Sequence, residues 1–153
     1  MRKTKIIIDG SNIAFANKNH KKQPKFQNLK IIIDFLENIS KEFPVEFKII
    51  VDASLRHQID SKRNLEELER VGKIIQTPCN HTADEFIIAY AQRHPEETII
   101  ISNDKFSEYN TNNLFLCNFV IMFDEIIISP NLKQQFSINN KITERSQINV
   151  CKV

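Results

Sequence analysis

Short apolar runs alternate along the chain with longer stretches in which apolar residues return every three or four positions. That alternation predicts an α/β chain built on a parallel sheet with right-handed crossovers. Ile6, Ile7 and Ile8 are apolar at consecutive positions, the mark of a strand buried on both faces, and predict a strand over residues 5–9. Leu29, Ile32, Ile33, Leu36 and Ile39 recur at helical spacing and predict a helix over 28–42, followed by Pro44. A second strand is expected over 47–51, a second helix over 62–71 with Gly72 at its C′ position, and a short strand over 73–76 broken by Thr77-Pro78. A third helix is expected over 83–94, a fourth strand over 98–102, and a short helix over 105–109. Two apolar runs at 119–123 and 126–128, divided by Asp124 and Glu125, fit a hairpin or a strand with an edge extension.

A length of 153 residues with 41% hydrophobic content suits one globular domain, expected over residues 1–136 and followed by a polar tail over 137–153. The formal net charge of +2 announces no nucleic-acid binder, but its distribution is uneven. The first thirty residues carry Arg2, Lys3, Lys5, Lys18, Lys21, Lys22, Lys25 and Lys30 against one acid, Asp9. Residues 17–25 form a basic loop close behind the first strand, which suits a polyanion; a solvated lysine-rich loop is the plainer explanation. Cys79, Cys117 and Cys151 are odd in number and form no CxxC pair, so reduced thiols and a cytoplasmic setting are expected. No apolar stretch approaches the length that spans a bilayer, and no membrane partner is expected.

The chemistry concentrates where strands are expected to end. The first strand stops at Asp9, followed by Gly10, Ser11 and Asn12, and the fourth repeats the pattern with Ser102, Asn103 and Asp104. Ligands bind at the carboxyl ends of strands in open α/β sheets, so acids there are placed for chemistry. Asp84 opens the third helix in line with Ile87, Ile88 and Ala91, the stripe facing the sheet. A carboxylate so placed needs a partner, and a cation is one; a helix-start acid favoured by the macrodipole is the simpler alternative. Thr82 and Glu85 have capping-box spacing, which offers Glu85 a purely structural role. Asp104 and Glu108 would share a face of the short helix. Asp9, Asp84 and Asp104 therefore converge, with Glu85 and Glu108 near by, and an all-oxygen set suits Mg²⁺ or Mn²⁺. Asn12 and Asn103, beside Ser102, are positioned to orient the ligands or meet a phosphate oxygen. Asp52 ends the second strand and reads as a turn residue. Cys79 and His81 lack a nearby second soft ligand and read as an ordinary thiol and a loop histidine. Lys18, Lys21, Lys22, Lys25, Arg56 and Lys105 are candidate phosphate contacts.

With Ile8-Asp9-Gly10-Ser11-Asn12-Ile13-Ala14, Ala83-Asp84-Glu85-Phe86-Ile87 and Ile101-Ser102-Asn103-Asp104-Lys105-Phe106 plus Glu108 in this order, the chain resembles the PIN-like nucleases. The likeness, over about residues 4–130, is to their NYN branch, which includes the regnase-like (CCCH zinc-finger) endoribonucleases. The resemblance implies a three-layer α/β/α sandwich with a central, mostly parallel sheet. It also implies a metal-dependent endoribonuclease hydrolysing single-stranded or stem-loop RNA, with Mg²⁺ or Mn²⁺ held by Asp9, Asp84, Glu85, Asp104 and Glu108. Asp9, Asp84 and Asp104 would be the catalytic acids and Asn12, Ser102 and Asn103 their supports; a homodimer is a further arrangement found in such domains. The chain departs from the family at Glu85 and Glu108, where Asp is frequent, and in a shorter loop over 77–83.

Other enzyme classes fit poorly. A haloacid-dehalogenase phosphatase needs a second Asp where Ser11 stands, a receiver domain needs an acidic pair absent here, and nucleotide folds need a glycine-rich loop. The remaining alternatives are a catalytically inactive PIN-like module that binds RNA or protein, and a toxin-type enzyme directed at one structured RNA.

Overall fold

A computed structural model describes residues 3–18 and 20–136 of the chain. The tail expected over 137–153, with Cys151, lies outside the described residues. Six strands form one sheet: β1 (Thr4–Asp9), β2 (Val45–Val51), β3 (Ile74–Gln76), β4 (Thr98–Ile101), β5 (Phe115–Met122) and β6 (Glu125–Ser129). Their order is β3-β2-β1-β4-β5-β6, all parallel except β6, which pairs antiparallel with β5. The chain runs outward from β1 through β2 to β3, then returns to place β4 on the other side of β1. The order thus reverses between β1 and β4, the switch point where such sheets open a crevice.

Helices α1 (Gly10–Phe15), α2 (Phe26–Glu42), α3 (Lys62–Arg70) and α4 (Ala83–Arg93) flank the sheet, with a short helical stretch at 132–136 on the larger core. The side chains of β1 alternate between two cores, as pleating requires. Ile6 and Ile8 join the larger core with Ile13, Leu29, Ile32, Leu36 and Leu65 from α1, α2 and α3. Ile7 joins a smaller one with Ile87, Ile88 and Ala91 of α4 and with Phe106. This is a three-layer α/β/α arrangement with unequal layers. Because α4 is the one helix described on its face, Ile75 and Phe86 on one flank, and Val120, Met122 and Ile127 on the other, stay exposed.

The expected elements are present with small shifts at their ends, and two expectations are corrected. No helix is expected directly after Asp9, yet α1 begins at Gly10, with Asp9 as its N-cap accepting from the Asn12 amide at 3.2 Å. Six residues are too few for a periodicity to register, but an Asp preceding small residues is a capping signal. Buried Asn28 secures the far end of α1, its amide donating to the carbonyls of Ile13 and Ala16 at 3.1 and 2.6 Å. The helix expected over 105–109 does not form. Phe106 takes φ 50°, outside the helical region, which puts its ring in the smaller core at 2% exposure. The Asp104 carboxylate accepts the Phe106 amide at 2.8 Å in a turn instead. The hairpin reading of 119–128 holds: Phe123 and Asp124, both at positive φ, form a two-residue turn of the kind that matches strand twist.

Candidate active site

The β1–β4 crevice is organised by Ser102. Its hydroxyl donates to Asp9 Oδ2 at 2.9 Å and accepts the Asp104 amide at 3.0 Å, so one buried oxygen ties the acid ending β1 to the acid following β4. Asn12 adds a second link, accepting the Asn103 amide at 2.9 Å. The Asn103 side chain is anchored to β5. Its side chain accepts the Phe119 amide and donates to the Phe119 carbonyl, both at 2.9 Å, taking over the β4–β5 ladder where the strand ends. Both its polar atoms are thereby engaged, which fixes the backbone that leads into Asp104.

Asp9 is 4% exposed. Burial pushes its carboxyl up to about 6; the Asn12 amide and Ser102 hydroxyl pull it down, and the charges of Asp84 and Asp52 push it further up. Asp84, half-buried at the start of α4, is also raised, first by desolvation and then by the charges of Asp104, Asp52 and Glu108. These couplings bring four of the five expected acids, Asp9, Asp84, Asp104 and Glu108, into one electrostatic neighbourhood. Glu108 arrives there by the turn through Phe106 and not by a helical face.

Glu85 stands apart. Thr82 caps α4 by accepting the Glu85 amide at 3.4 Å, but the reciprocal half of a capping box is missing, because the Glu85 carboxylate meets His81 Nδ1 at 3.0 Å. The basic candidates lie on three separate segments. Lys18 lies 5.2 Å above the Phe15 ring, in the 17–25 loop that Asn17 anchors to the Ile121 carbonyl of β5 at 2.7 Å. Lys21, Lys22 and Lys25 follow in that loop, and Lys105 is exposed beside Asp104. Arg56 lies on a 3₁₀ turn over Ala53–His57 and lines a cleft of about 660 Å³ with Asp52, His57, Cys79 and His81.

One residue read from the sequence as a turn residue and one that the sequence did not single out also lie here. Asp52 accepts the Ala83 amide at 2.7 Å and donates its own amide to Ser11 at 2.9 Å, joining β2 to the starts of α1 and α4. An acid one residue past a buried strand was the available signal, the same one that singled out Asp9. Tyr109 is packed beside the acids. Desolvation, then Glu85, Asp84 and Glu108, raise its phenol, with Thr82 as hydrogen-bonding neighbour. Its spacing carried no signal.

Among the described residues, no group of three His, Cys, Asp or Glu side chains is arranged as a ready-made metal cage. The donor chemistry still fits a hydrated hard cation. Mg²⁺ keeps several waters and takes one or two carboxylates directly, and crowded carboxylates with raised proton affinity are the groups such an ion neutralises.

The family model for the Zc3h12a-like ribonuclease NYN domain matches residues 2–151, and the chain belongs to that family. Two solved structures of nuclear protein-only RNase P 2 (PRORP2) from Arabidopsis thaliana align with a TM-score of 0.63 at 16% identity. The alignments cover 80% and 84% of this chain but 29% and 30% of those chains, so the chain spans less than a third of their length. This likeness establishes a shared fold. The PIN domain endonuclease Utp24 aligns at 17% identity over 83% of this chain and 92% of that one, with a TM-score of 0.38. Comparison with curated proteins gives no match.

Proposed function

We propose that the chain is a metal-dependent endoribonuclease that hydrolyses phosphodiester bonds of single-stranded or stem-loop RNA. The observation that carries this reading is the convergence of Asp9, Asp84, Asp104 and Glu108 at the β1–β4 switch point of a chain in a ribonuclease family. Asp9 and Asp84 would hold Mg²⁺ or Mn²⁺, with Asp104 and Glu108 completing the set. When bound, the ion supplies an activated water and neutralises charge developing on the scissile phosphate. Ser102 holds Asp9 in place, Asn12 sets the Asn103–Asp104 segment, and Asp52 holds the helix that carries Asp84. Glu85 serves as a further ligand on release from His81. Lys18, Lys21, Lys22, Lys25, Arg56 and Lys105 surround the acids with cations for the RNA backbone. The free thiols Cys79 and Cys117 support a cytoplasmic setting, and a homodimer remains part of the reading.

The second reading, an inactive RNA- or protein-binding module, is favoured by one observation: Glu85 is engaged by His81 and no three acids form a cage among the described residues. Cleavage of a labelled single-stranded RNA and a stem-loop with Mn²⁺, Mg²⁺ or EDTA, beside Asp9→Asn, separates the two. Metal-dependent cleavage that disappears in the variant is the expected result. Binding without cleavage on both RNAs would favour the inactive module.

A further inference from the structure

The single helix over the smaller core leaves apolar surface on both of its flanks, and the two flanks differ in charge. Beyond β5 and β6, exposed Val120, Met122 and Ile127 lie next to Asp124 and Glu125. Between α4 and the β2–β3 edge there is instead a groove of about 430 Å³. Ile75 and Phe86 line it at 47% and 42% exposure, with Tyr90, Lys48 and Arg93.

Tyr90 carries cations on its ring: Lys48 Nζ lies 5.1 Å and Lys5 Nζ 5.7 Å from the centroid. Among the described residues neither Lys48 nor Arg93 forms an ion pair with a carboxylate. The acids facing this side are Glu85, engaged by His81, and Glu46, which shares the Lys48 face of β2 toward its far end. Phe86 stands edge-on to His81, with ring centroids 5.9 Å apart, and is open to solvent on α4.

His81 also lines the Arg56 cleft beside Asp52, and Glu85, next to Asp84 on α4, lines the groove, which runs along α4 from there. From Glu85 to Arg93 that path is about 12 Å at the helical rise. An open aromatic face with cations lining the same groove is how single-stranded nucleic acid is held without sequence readout.

We propose that the groove between α4 and β2–β3 binds a segment of single-stranded RNA running away from the metal site, with a base stacked on Phe86 and phosphates met by Lys48 and Arg93. This rests on the ribonuclease reading above. Charge complementarity selects the occupant: of the two apolar flanks this one is basic and the other acidic, and RNA is a polyanion.

The test is the affinity of labelled oligouridylate, followed by fluorescence anisotropy in EDTA across a salt series. The proteins compared are wild type, Phe86→Ala, Phe86→Leu, Phe86→Trp, the double variant Lys48→Ala/Arg93→Ala, and Ile127→Ala from the acidic flank. Phe86→Ala is expected to weaken binding about tenfold. Phe86→Leu should share that loss while Phe86→Trp retains affinity, a split that apolar contact alone would not give. The double variant should flatten the slope of log affinity against log salt by about 1.4, at about 0.7 per single-strand phosphate. Ile127→Ala should bind as wild type does. Phe86 is solvent-exposed, and a thermal midpoint equal to that of wild type confirms that its variants are folded. Wild-type affinity and salt slope in the Phe86 and Lys48/Arg93 variants, with RNA still cleaved by wild type, overturn the groove and leave the nuclease reading standing. A wild type that neither binds nor cleaves RNA overturns both. Loss of self-association in Phe86→Ala with RNA affinity unchanged would assign the face to a protein contact and overturn the proposal.

Discussion

The Asp52 carboxylate accepts the Ala83 amide at 2.7 Å, so an acid at the end of β2 holds the first residue of the helix on which Asp84 stands. Asp52 also raises the proton affinity of Asp84 and Asp9 through its charge. The two effects are separable. Asp52→Asn keeps an oxygen for Ala83 and removes the charge, while Asp52→Ala removes both. Asp52→Ala is expected to lower stability by about 1 kcal/mol, the cost of a lost helix cap, and to weaken Mn²⁺ affinity because Asp84 loosens. Asp52→Asn should keep near-native stability. Urea melts and Mn²⁺ titrations of the two variants check this; equal losses in both would show that charge, not the hydrogen bond, is what Asp52 contributes.

The raised Asp9 carboxyl gives the metal-free protein a definite pH response. Its folded pKa, about 6, lies above the ordinary value of 3.8, so the native state binds the proton more tightly than the unfolded chain. The resulting stabilisation is complete below pH 3.8 and is lost as pH rises through 6. The difference between the two values corresponds to about 3 kcal/mol. Asp9→Asn removes the ionisable group. It should flatten the part of the stability profile between pH 4 and 7 and raise metal-free stability at neutral pH, while abolishing cleavage. A profile in EDTA that is unchanged by the substitution would contradict the burial assigned to Asp9.

Metal should reverse that trend. An ion that binds the ionised carboxylates of the native state raises stability by RT ln(1 + [L]/Kd), about 2.7 kcal/mol at a hundredfold excess over Kd. The thermal shift on adding Mn²⁺ is therefore expected to be large at pH 8 and small at pH 5, where Asp9 is mostly protonated, and to be lost in Asp9→Asn. Equal shifts at both pH values would point to metal bound elsewhere.

Gly10 is required by space. A Cβ at this position would lie 2.6 Å from Val51 Cγ1 and 2.7 Å from Ile49 Cγ2, both in buried β2 side chains. Gly10→Ala should cost about 1–3 kcal/mol through overpacking and should reduce cleavage by displacing the Asp9 cap. Calorimetry together with the RNA assay checks both effects; wild-type stability would mean that β2 yields more easily than its packing implies.

Asn103 gives a contrasting case, a polar residue whose removal acts at a distance from any ligand. Asn103→Ala leaves the Phe119 amide and carbonyl without partners and should cost about 1–3 kcal/mol. Asp104 follows Asn103 directly, so cleavage should fall as well. Amide exchange at Phe119 is the direct readout and should quicken markedly.

The order of the strands and of helices α2, α3 and α4, the acids at the ends of β1 and β4, and Asp84 at the start of α4 were legible in the sequence. Each rests on a local cause: an isoleucine run, a repeat at helical spacing, a Thr cap, a Gly at positive φ after α3. Tertiary structure decided what those residues touch. Asp104 and Glu108 seemed bound to a helix by their spacing, but packing the Phe106 ring into the smaller core forced its backbone to φ 50° and a turn prevailed. Glu85 matched a capping box and instead found His81. Asn103 spent its amide on Phe119, Asp52 reached Ala83, and Tyr109 came to lie beside the acids. None of these pairings has a sequence signature, even where the residue itself does, because each partner is set by the closing of strands and helices distant along the chain. Spacing along a chain governs hydrogen bonds and periodicity within an element; which side chain satisfies a buried polar group is settled only when the layers pack.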